Sequence, residues 1–219
     1  MQTIAANVAQ VRAEIAATCT AVGRDPATVR LIAVTKSVGS EALPALAREG
    51  VFDYGENRTD HLAAMAAGAP NEARFHHIGR IQSRQIADIV AHAACLHGLA
   101  QADHAHLLAK ACSDRRLPVF IQVNVSGEAS KAGVTAALLA PLLDTVRALP
   151  TLEAVGLMTM APPTGEGVDD DAILACFAGL RDLARTHGLA RLSMGMSGDF
   201  ALAIRAGATE VRIGARLFV

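Results

Sequence analysis

Aromatic residues are scarce in this chain: there is no tryptophan, and Phe plus Tyr make up only 3% of the 219 positions. Charge of one sign is also lacking, because 20 Lys plus Arg stand against 21 Asp plus Glu, for a net charge of -1. Without a basic block, the sequence excludes the usual nucleic-acid-binding proteins and polybasic membrane proteins. No run of 18 apolar residues is free of charge, so we also expect no membrane span.

The cysteines are few and scattered. The four of them, at positions 19, 95, 112 and 176, form neither a C-x-x-C pair nor a metal-binding spacing. His104 and His106 lie two residues apart on a predicted helix, hence on different faces, so we expect no metal site there. Because Arg12 and Glu14 interrupt the N-terminal apolar pattern, it is no signal peptide, and we predict a reduced, cytoplasmic protein.

What the chain does have is a 52% hydrophobic composition and a repeating order of strands and helices. Apolar residues at helical spacing predict a helix before the first strand. We predict strands over residues 31–35, 51–54, 74–78, 94–97, 118–125, 152–158, 191–193 and 211–213, with helical segments between them. Eight such units favour a single α/β domain over residues 1–219, a compact (β/α)8 barrel with an extra N-terminal helix. An open doubly wound sheet is the alternative, but TKSVG after the first strand is not its G-x-G-x-x-G turn.

The chain has only three lysines, and one of them lies at the end of a predicted strand, where the active sites of such barrels are found. The chain has 17 Arg, yet Lys36 directly follows the buried first strand, at the end of the barrel where active sites gather. Arg cannot form an imine, whereas a lysine in an apolar mouth can lose its proton and act as a nucleophile. The alternative is a lysine that extends from the strand end into water. For Lys110 we expect a solvent-exposed role. We expect the same for Lys131, with the alternative that it reaches the mouth of the site from the loop after the fifth strand.

Small residues follow the last two strands. SMGMSGD (193–199) and RIGA (212–215) are the loops that hold phosphate in many such barrels, since backbone N–H groups can approach an anion there. Ordinary tight turns are the alternative for each loop taken alone. Combined with Lys36, the two loops fit a phosphorylated aldehyde held at both ends across one barrel mouth.

Polar residues also end the other strands. Asn57 is expected to position a ring substituent, and Glu56 to pair with a nearby arginine. His76 and His77 point to opposite faces of a strand, so at most one faces the barrel interior, and a structural role is the common one for each. Residues 162–171 (PPTGEGVDDD) read as a long exposed loop whose acidic residues only solvate it.

Taken together, these motifs resemble those of a known family. VTKS, GENR, HHIGRIQS, QVNVSGEASKAG, GLMTM, SMGMSGDF and VRIGARLF are similar, in this order, to the motifs of the YggS/PROSC-type pyridoxal phosphate homeostasis proteins. The resemblance covers nearly the whole chain. It implies a barrel like the N-terminal domain of alanine racemase, the type III fold of proteins that bind pyridoxal 5′-phosphate (PLP).

The resemblance also implies roles for particular residues. Lys36 would carry PLP as an internal aldimine, and Arg212 would face the pyridine nitrogen. The remaining cofactor-binding residues would be Ser197, Gly214 and Ala215 at the phosphate, Asn57 and His76 beside the ring, and Met194 near it. The sequence departs from the family pattern at Arg84-Gln85, at His97, where a smaller polar residue is usual, and at a shorter C-terminus.

The predicted function is that of a monomeric PLP carrier without established catalysis. It would buffer PLP, or deliver it to PLP-accepting enzymes, as part of vitamin B6 homeostasis. Arg212 at the ring nitrogen would weaken PLP as an electron sink. The sequence stops soon after the eighth strand, so we expect no second domain to supply an opposing acid or base. Two alternatives remain: a single-domain PLP-dependent racemase, and a Schiff-base aldolase that uses Lys36 without a cofactor.

Overall fold

Eight parallel strands form a closed barrel in sequence order, β1 to β8, with β8 pairing back onto β1. The structure is a computed structural model and describes residues 3–113, 115–128, 131–162 and 169–218. The strands are β1 (Arg30–Val34), β2 (Asp53–Glu56), β3 (Arg74–His77), β4 (Cys95–Leu99), β5 (Leu117–Gln122), β6 (Leu152–Met158), β7 (Arg191–Met196) and β8 (Glu210–Ile213). The predicted (β/α)8 barrel is thereby confirmed.

Helices connect the strands on the outside of the barrel. They are α1 (Ile4–Ala21), α2 (Leu43–Arg48), α3 (Thr59–Ala67), α4 (Ile86–His92), α5 (Ala102–Ala111), α6 (Ala136–Arg147), α7 (Asp170–Thr186), α8 (Phe200–Ala206) and α9 (Ala215–Phe218). Several are short, since α2 has 6 residues and α4 and α8 have 7 each, which lets the fold close within a small chain. None of the helices described is both long and apolar enough to cross a membrane.

The N-terminal helix α1 is the predicted addition to the barrel. The Thr3 side chain caps it by accepting a hydrogen bond from the N–H of Ala6. Its buried face packs against α2, α8 and α9. Polar contacts hold its middle and its C-terminal end: Arg216 binds Glu14, and Arg24, just beyond the helix, donates to the carbonyls of Ile204 and Ala208. The helix therefore covers the region where β8 returns to β1.

Most predicted strand boundaries differ from the structure by one or two residues, and three boundaries differ by more or in kind. The fifth strand, expected over residues 118–125, ends at Gln122. The strand expected over residues 191–193 extends to Met196, because its end is paired with Arg212 of β8. The loop expected over residues 162–171 ends earlier, since α7 begins at Asp170 and the Asp169 carboxylate accepts from the N–H of Asp171. These acidic residues start a helix, whose N-terminus favours negative charge, rather than merely solvating a loop. Residues 163–168 lie outside the described part of the chain.

Two apolar regions stabilise the fold. The larger one lies between the strands and the surrounding helices, and includes Tyr54, Leu143 and Phe177. The smaller one, Cys95, Phe120 and Met158, lies inside the barrel. The rest of the barrel interior is largely polar, and the side chains that fill it prepare the site described below.

We expect the outer apolar layer to supply much of the stability, and α6 offers a matched pair of leucines for a test. Leu143 is fully buried, whereas Leu138 is 59% exposed. Leu143→Ala should lower the free energy of unfolding by about 2–5 kcal/mol through lost burial and a cavity. Leu138→Ala should change it by no more than about 0.5 kcal/mol. Urea unfolding of both variants measures the difference, and equal losses would contradict this account of the core.

Candidate functional site

A cavity of about 730 Å³ opens at the carboxyl ends of the strands, as expected for this type of barrel. Its walls come from both ends of the chain, because β1 and β8 are neighbours in the closed barrel. Among the residues that line it are Lys36, Asn57, Ser197, Arg212, Gly214 and Ala215. The structure thus brings together six of the eight residues predicted for the site.

Lys36 lies at one edge of the cavity. Strand β1 ends at Val34, whose side chain lines the cavity, and Thr35 is fully buried. Lys36 itself is exposed. Its amine therefore stands at an apolar wall that opens to solvent, where a carbonyl compound could reach it.

The adjoining side of the cavity is formed by the loops after β7 and β8. The N–H of Gly214 donates to Ser197 Oγ at 3.3 Å, which joins the two loops. The buried Asp199 carboxylate accepts from the N–H of Met196 at 2.5 Å and so shapes the first loop. Gly195 is needed there, because its φ is +92° and a Cβ atom would lie 2.6 Å from that of Ala203. Sequence reasoning gave Asp199 no role, although its place directly after the loop's Ser-Gly could have indicated one.

Arg212 forms the floor of the cavity and is 4% exposed. Its Nη1 donates to Ser193 Oγ at 2.6 Å, and its Nη2 donates to the Thr159 carbonyl at 3.1 Å. Burial lowers the pKa of Arg212 to about 10, against the opposing negative charges of Asp199 and Glu210. The guanidinium therefore remains charged at neutral pH and offers hydrogen-bond donors, never an acceptor, to a ligand above it.

Asn57 stands on the β2 side of the cavity, where it is exposed. The chain runs unusually close to it at the end of β3: a Cβ atom on Gly79 would lie 2.2 Å from the Asn57 carbonyl oxygen. Glycine at position 79 therefore allows the two strand ends to approach each other, and it keeps Asn57 beside the cavity.

Two predicted site residues do not line the cavity. His76 is 1% exposed and lies below the mouth, two residues before Ile78, which does line it. Met194 belongs to the outer apolar layer, because Ser193 faces the barrel interior and consecutive strand residues point to opposite faces. The side-chain alternation defines the face of a residue but not its height along the barrel.

His76 instead belongs to a series of hydrogen bonds inside the barrel. One ring nitrogen, Nε2, is 2.9 Å from Asp53 Oδ1, and the other, Nδ1, is 2.9 Å from His97 Nε2. His97 Nδ1 is 2.7 Å from Ser193 Oγ, the same oxygen that Arg212 contacts. We call Arg212, Ser193, His97, His76 and Asp53 the interior chain. Sequence reasoning placed His97 only at a strand end and missed Asp53 and the hydroxyl of Ser193.

The far end of the interior chain is ionised. Arg74 donates to both carboxylate oxygens of Asp53, at 3.0 and 2.7 Å, and Arg30 lies 3.7 Å away. Burial acts to raise the pKa of Asp53, but the hydrogen bonds from Arg74 and His76 and the charge of Arg30 outweigh it. They hold that pKa well below its usual value.

Other polar residues have structural partners. Glu56 is fully buried and pairs with Thr35 and His61, not with an arginine as expected. Lys131 is also more covered than expected: its Nζ is 3.3 Å from a Glu128 oxygen, and its side chain is 18% exposed. It lines a separate cavity.

Two buried features in or near the interior chain raise the question of a metal site or an acid–base role: a cluster of His76, Cys95 and His97, and the single residue His77. His76, Cys95 and His97 carry ligand atoms within 4.8 Å of one another. The facing nitrogens of the two histidines are already hydrogen-bonded together, and burial raises the pKa of the Cys95 thiol to about 12. Among the described residues, His77 on the opposite face of β3 has no hydrogen-bond partner, and burial lowers its pKa to about 4. We assign no metal ion to these residues.

Comparisons with known proteins agree with this geometry. The family model for the N-terminal domain of alanine racemase matches residues 1–219. The pyridoxal phosphate homeostasis protein of Pseudomonas aeruginosa is 41% identical over 227 residues, covering 100% of this chain and 96% of that protein. The structure of PipY of Synechococcus elongatus with PLP bound superposes with a TM-score of 0.83 at 28% identity, covering 99% of this chain and 100% of that one.

An alanine racemase of Clostridium difficile is a more distant structural neighbour. It has a TM-score of 0.78 at 12% identity. The match covers 100% of this chain and 56% of the racemase chain. At this identity the likeness shows a shared fold alone.

The ionised end of the interior chain predicts a particular pH dependence of stability. Because Asp53 has a lowered pKa in the folded protein, its contribution is complete above the unfolded value of about 3.9 and is lost as the pH falls below it. Asp53→Asn should cost about 1–3 kcal/mol at pH 7, since it weakens several charged hydrogen bonds. The difference from the unaltered protein should shrink below about pH 4.

Urea unfolding between pH 3 and pH 7 measures this difference. Asp60→Asn is the matched control, because Asp60 also pairs with an arginine, Arg58, but on the exposed surface. A loss for Asp53→Asn that stays constant through acid pH would mean that the Asp53 carboxylate is not ionised in the folded protein.

Proposed function

The chain belongs to the family of pyridoxal phosphate homeostasis proteins, and on that basis we propose that its cavity binds PLP and that the protein stores and delivers this cofactor. The observation that carries the proposal is the placement of Lys36, Ser197 and Gly214 around one cavity, with Arg212 as the floor. A phosphorylated pyridine aldehyde offers an aldehyde, a phosphate and a ring nitrogen. The cavity offers an amine for the first, two loops of small residues for the second and a buried cation for the third.

The residues present fit this ligand. The cavity of about 730 Å³ lies within the range of roughly 300–1,000 Å³ typical of small-molecule sites. Apolar side chains such as Val34, Ile78 and Met158 line it between the polar groups. A flat ring would therefore lie between the apolar walls of the cavity, and the charged and polar substituents of the ring would meet the polar groups of the lining.

Each predicted residue then has a role that its position supports. When bound, PLP supplies an aldehyde that condenses with an amine and a conjugated ring that absorbs visible light. Lys36 provides the amine. Ser197, Gly214 and Ala215 hold the phosphate with the hydroxyl and backbone groups of the two loops. Asn57 contacts a ring substituent.

Arg212 would set the electronic properties of bound PLP, a feature that fits a carrier but does not by itself distinguish a carrier from a racemase. It is a donor that cannot accept the proton of a pyridinium, so it keeps the ring nitrogen unprotonated. An unprotonated ring withdraws electrons less, which weakens the property that most PLP enzymes use. For His76 we propose an indirect role, through Arg212, and for Met194 a supporting role in the outer layer behind β7.

The cavity also lacks one group that a racemase would be expected to use. Proton removal and return at one carbon need an acid and a base on its two sides. The single tyrosine of the sequence, Tyr54, is fully buried and donates to the Val51 carbonyl at 2.8 Å, so it cannot reach the cavity. Lys36 is thus the only group of the described cavity lining that we assign to such proton transfer.

The remaining proposals concern the setting of the protein. We propose a monomer formed by one PLP-binding domain, residues 1–219, that meets PLP-accepting enzymes transiently. The exposure of Lys36 supports delivery, because the ligand can leave directly to solvent. We propose a cytoplasmic location, supported by the four cysteines, all of them buried and none in a disulfide. No nucleic-acid or membrane partner is proposed.

Removing the amine should abolish the covalent attachment of PLP. We expect the protein incubated with PLP to show a visible absorption band that Lys36→Ala lacks. Lys110→Ala is the matched control, since Lys110 lies exposed near the end of α5, and it should keep the band. Borohydride reduction followed by peptide mapping should place the added mass on the peptide that contains Lys36.

Two outcomes of that experiment would contradict the proposal. Label on another lysine would mean that the aldehyde is held elsewhere. A colourless protein that borohydride instead links to a sugar phosphate at Lys36 would favour an aldolase that needs no cofactor.

We further expect no racemase activity. The PLP-loaded protein should leave L- and D-alanine unchanged, because the described residues that line the cavity include no second group besides Lys36 that we assign to proton transfer. Optical rotation, or solvent deuterium exchange at the α-carbon followed by NMR, measures the reaction. Turnover that Lys36→Ala abolishes would favour the alternative of a single-domain racemase.

A further inference from the structure

The interior chain connects the cavity floor to the opposite end of the barrel, and the proposed function leaves it unexplained. We propose that Ser193, His97 and His76 are positioning residues: they hold the Arg212 guanidinium in place through a one-directional series of hydrogen bonds that ends on Asp53. This inference rests on the proposed function only for its consequence, which is the fixed orientation of Arg212 towards the ring nitrogen of PLP.

The direction of the hydrogen bonds follows from the two end residues of the interior chain, because Arg212 is a donor and the Asp53 carboxylate is an acceptor. Arg212 can only donate, so Ser193 Oγ accepts at 2.6 Å. Its hydroxyl hydrogen then donates to His97 Nδ1 at 2.7 Å, and the structure gives this hydroxyl no other acceptor in the described part of the chain. His97 carries its hydrogen on Nε2 and donates to His76 Nδ1 at 2.9 Å. His76 donates from Nε2 to Asp53, which can only accept.

Only this arrangement gives every donor and acceptor of the interior chain a partner while both histidine rings stay uncharged. If His97 donated to Ser193 instead, Ser193 Oγ would accept twice and its own hydrogen would lack an acceptor. His97 Nε2 would then have to accept from His76, and His76 would need a second hydrogen, and hence a positive charge, to reach Asp53 as well. An unsatisfied buried hydroxyl is costly, so the uncharged arrangement is favoured.

The surroundings of His97 also oppose a charged ring. Burial is the main cause that lowers the pKa of His97 well below its usual value, and the positive charges of Arg212, Arg191 and Arg30 act in the same direction. The negative groups that face this region are Asp53, bound to Arg74, and Glu210, bound to Arg191.

Packing fixes the plane of the His97 ring. The ring stacks on Phe120 with a centroid distance of 4.4 Å and an angle of 28° between the planes. It meets the His76 ring edge-on at 5.1 Å. Because neither ring can turn without losing these contacts, each nitrogen points at a single partner. His97 thereby holds the Ser193 hydroxyl in the orientation that leaves its oxygen free to accept from Arg212.

The first test needs no PLP. In ¹⁵N-labelled, ligand-free protein at pH 7, NMR should show His76 and His97 as uncharged rings with the hydrogen on Nε2. The Arg212 guanidinium should rotate slowly about its C–N bonds, since two of its nitrogens are held. His97→Leu should speed this rotation at least about tenfold, as expected for the loss of a hydrogen-bonded support. A hydrogen on Nδ1 of either ring, or unchanged rotation, would overturn the proposal.

A conservative variant distinguishes positioning from simple packing. His97→Gln keeps an oxygen that can accept from Ser193 and an NH2 group that can donate to His76. It should restore slow Arg212 rotation, whereas His97→Leu, of comparable size, should not. Two matched controls are Cys95→Ala, on the same inner face of β4, and His77→Phe, at a buried histidine without partners. Both should leave Arg212 unchanged, and an equal effect of either control would contradict a specific role of His97.

The second test measures the consequence for PLP. His97→Leu should weaken PLP binding about tenfold and shift the visible band, while His97→Gln should stay within about threefold of the unaltered protein. If PLP binds His97→Leu as tightly as the unaltered protein, the positioning role is wrong although the proposed function stands. If the unaltered protein binds no PLP, the proposed function fails, and the ligand-free NMR result still decides whether the interior chain holds Arg212.

Discussion

Arg212 places a positive charge inside a closed barrel, where its guanidinium is buried and hydrogen-bonded. A buried charge costs several kcal/mol unless hydrogen bonds and opposite charges compensate it. Compensation comes from the Ser193 hydroxyl, the Thr159 carbonyl and the negative charges of Asp199 and Glu210. The same set of contacts leaves the guanidinium facing the cavity. Stability and function therefore constrain the same side chains, and the barrel interior cannot be repacked with apolar residues without moving the floor of the site.

The residues at the cavity mouth could be predicted because they depend on local patterns. Lys36 and Asn57 follow buried strands, and Ser197 and Gly214 lie in small-residue loops. In a parallel barrel the carboxyl ends of all strands lie at the same end of the barrel. Locating those ends in the sequence was therefore sufficient to predict which residues lie at the cavity mouth. His76 and Met194 were harder, since their positions depend on how deep a strand residue lies and on which face it occupies. The depth and the face of a strand residue depend on the register between strands, and motifs that resemble a family's do not specify that register.

The interior chain could not be predicted from the sequence for a related reason. His97 and Ser193 are 96 positions apart and lie on β4 and β7, which are not neighbours in the barrel. Their contact exists because inward-facing side chains cross the barrel interior. Alternation along each strand indicates which residues face inward, but pairing across the axis depends on strand tilt and stagger. Asp53 gave no signal either, because within a predicted strand it resembled an ordinary polar residue.

Closure of the barrel finally joins ligand binding to the folded state. Lys36 follows β1 and Gly214 follows β8, and these strands pair, with Ile32 opposite Arg212, only when the two ends of the chain meet. A ligand that spans from Lys36 to Gly214 therefore binds the closed barrel and not the unfolded chain. Such a ligand stabilises the fold by mass action, by about 2.7 kcal/mol when its concentration is a hundred times Kd. Arg212 reaches Ser193 through the pairing of β8 with its sequence neighbour β7, so closure onto β1 adds the Lys36 side of the cavity to a floor that β7 and β8 already form.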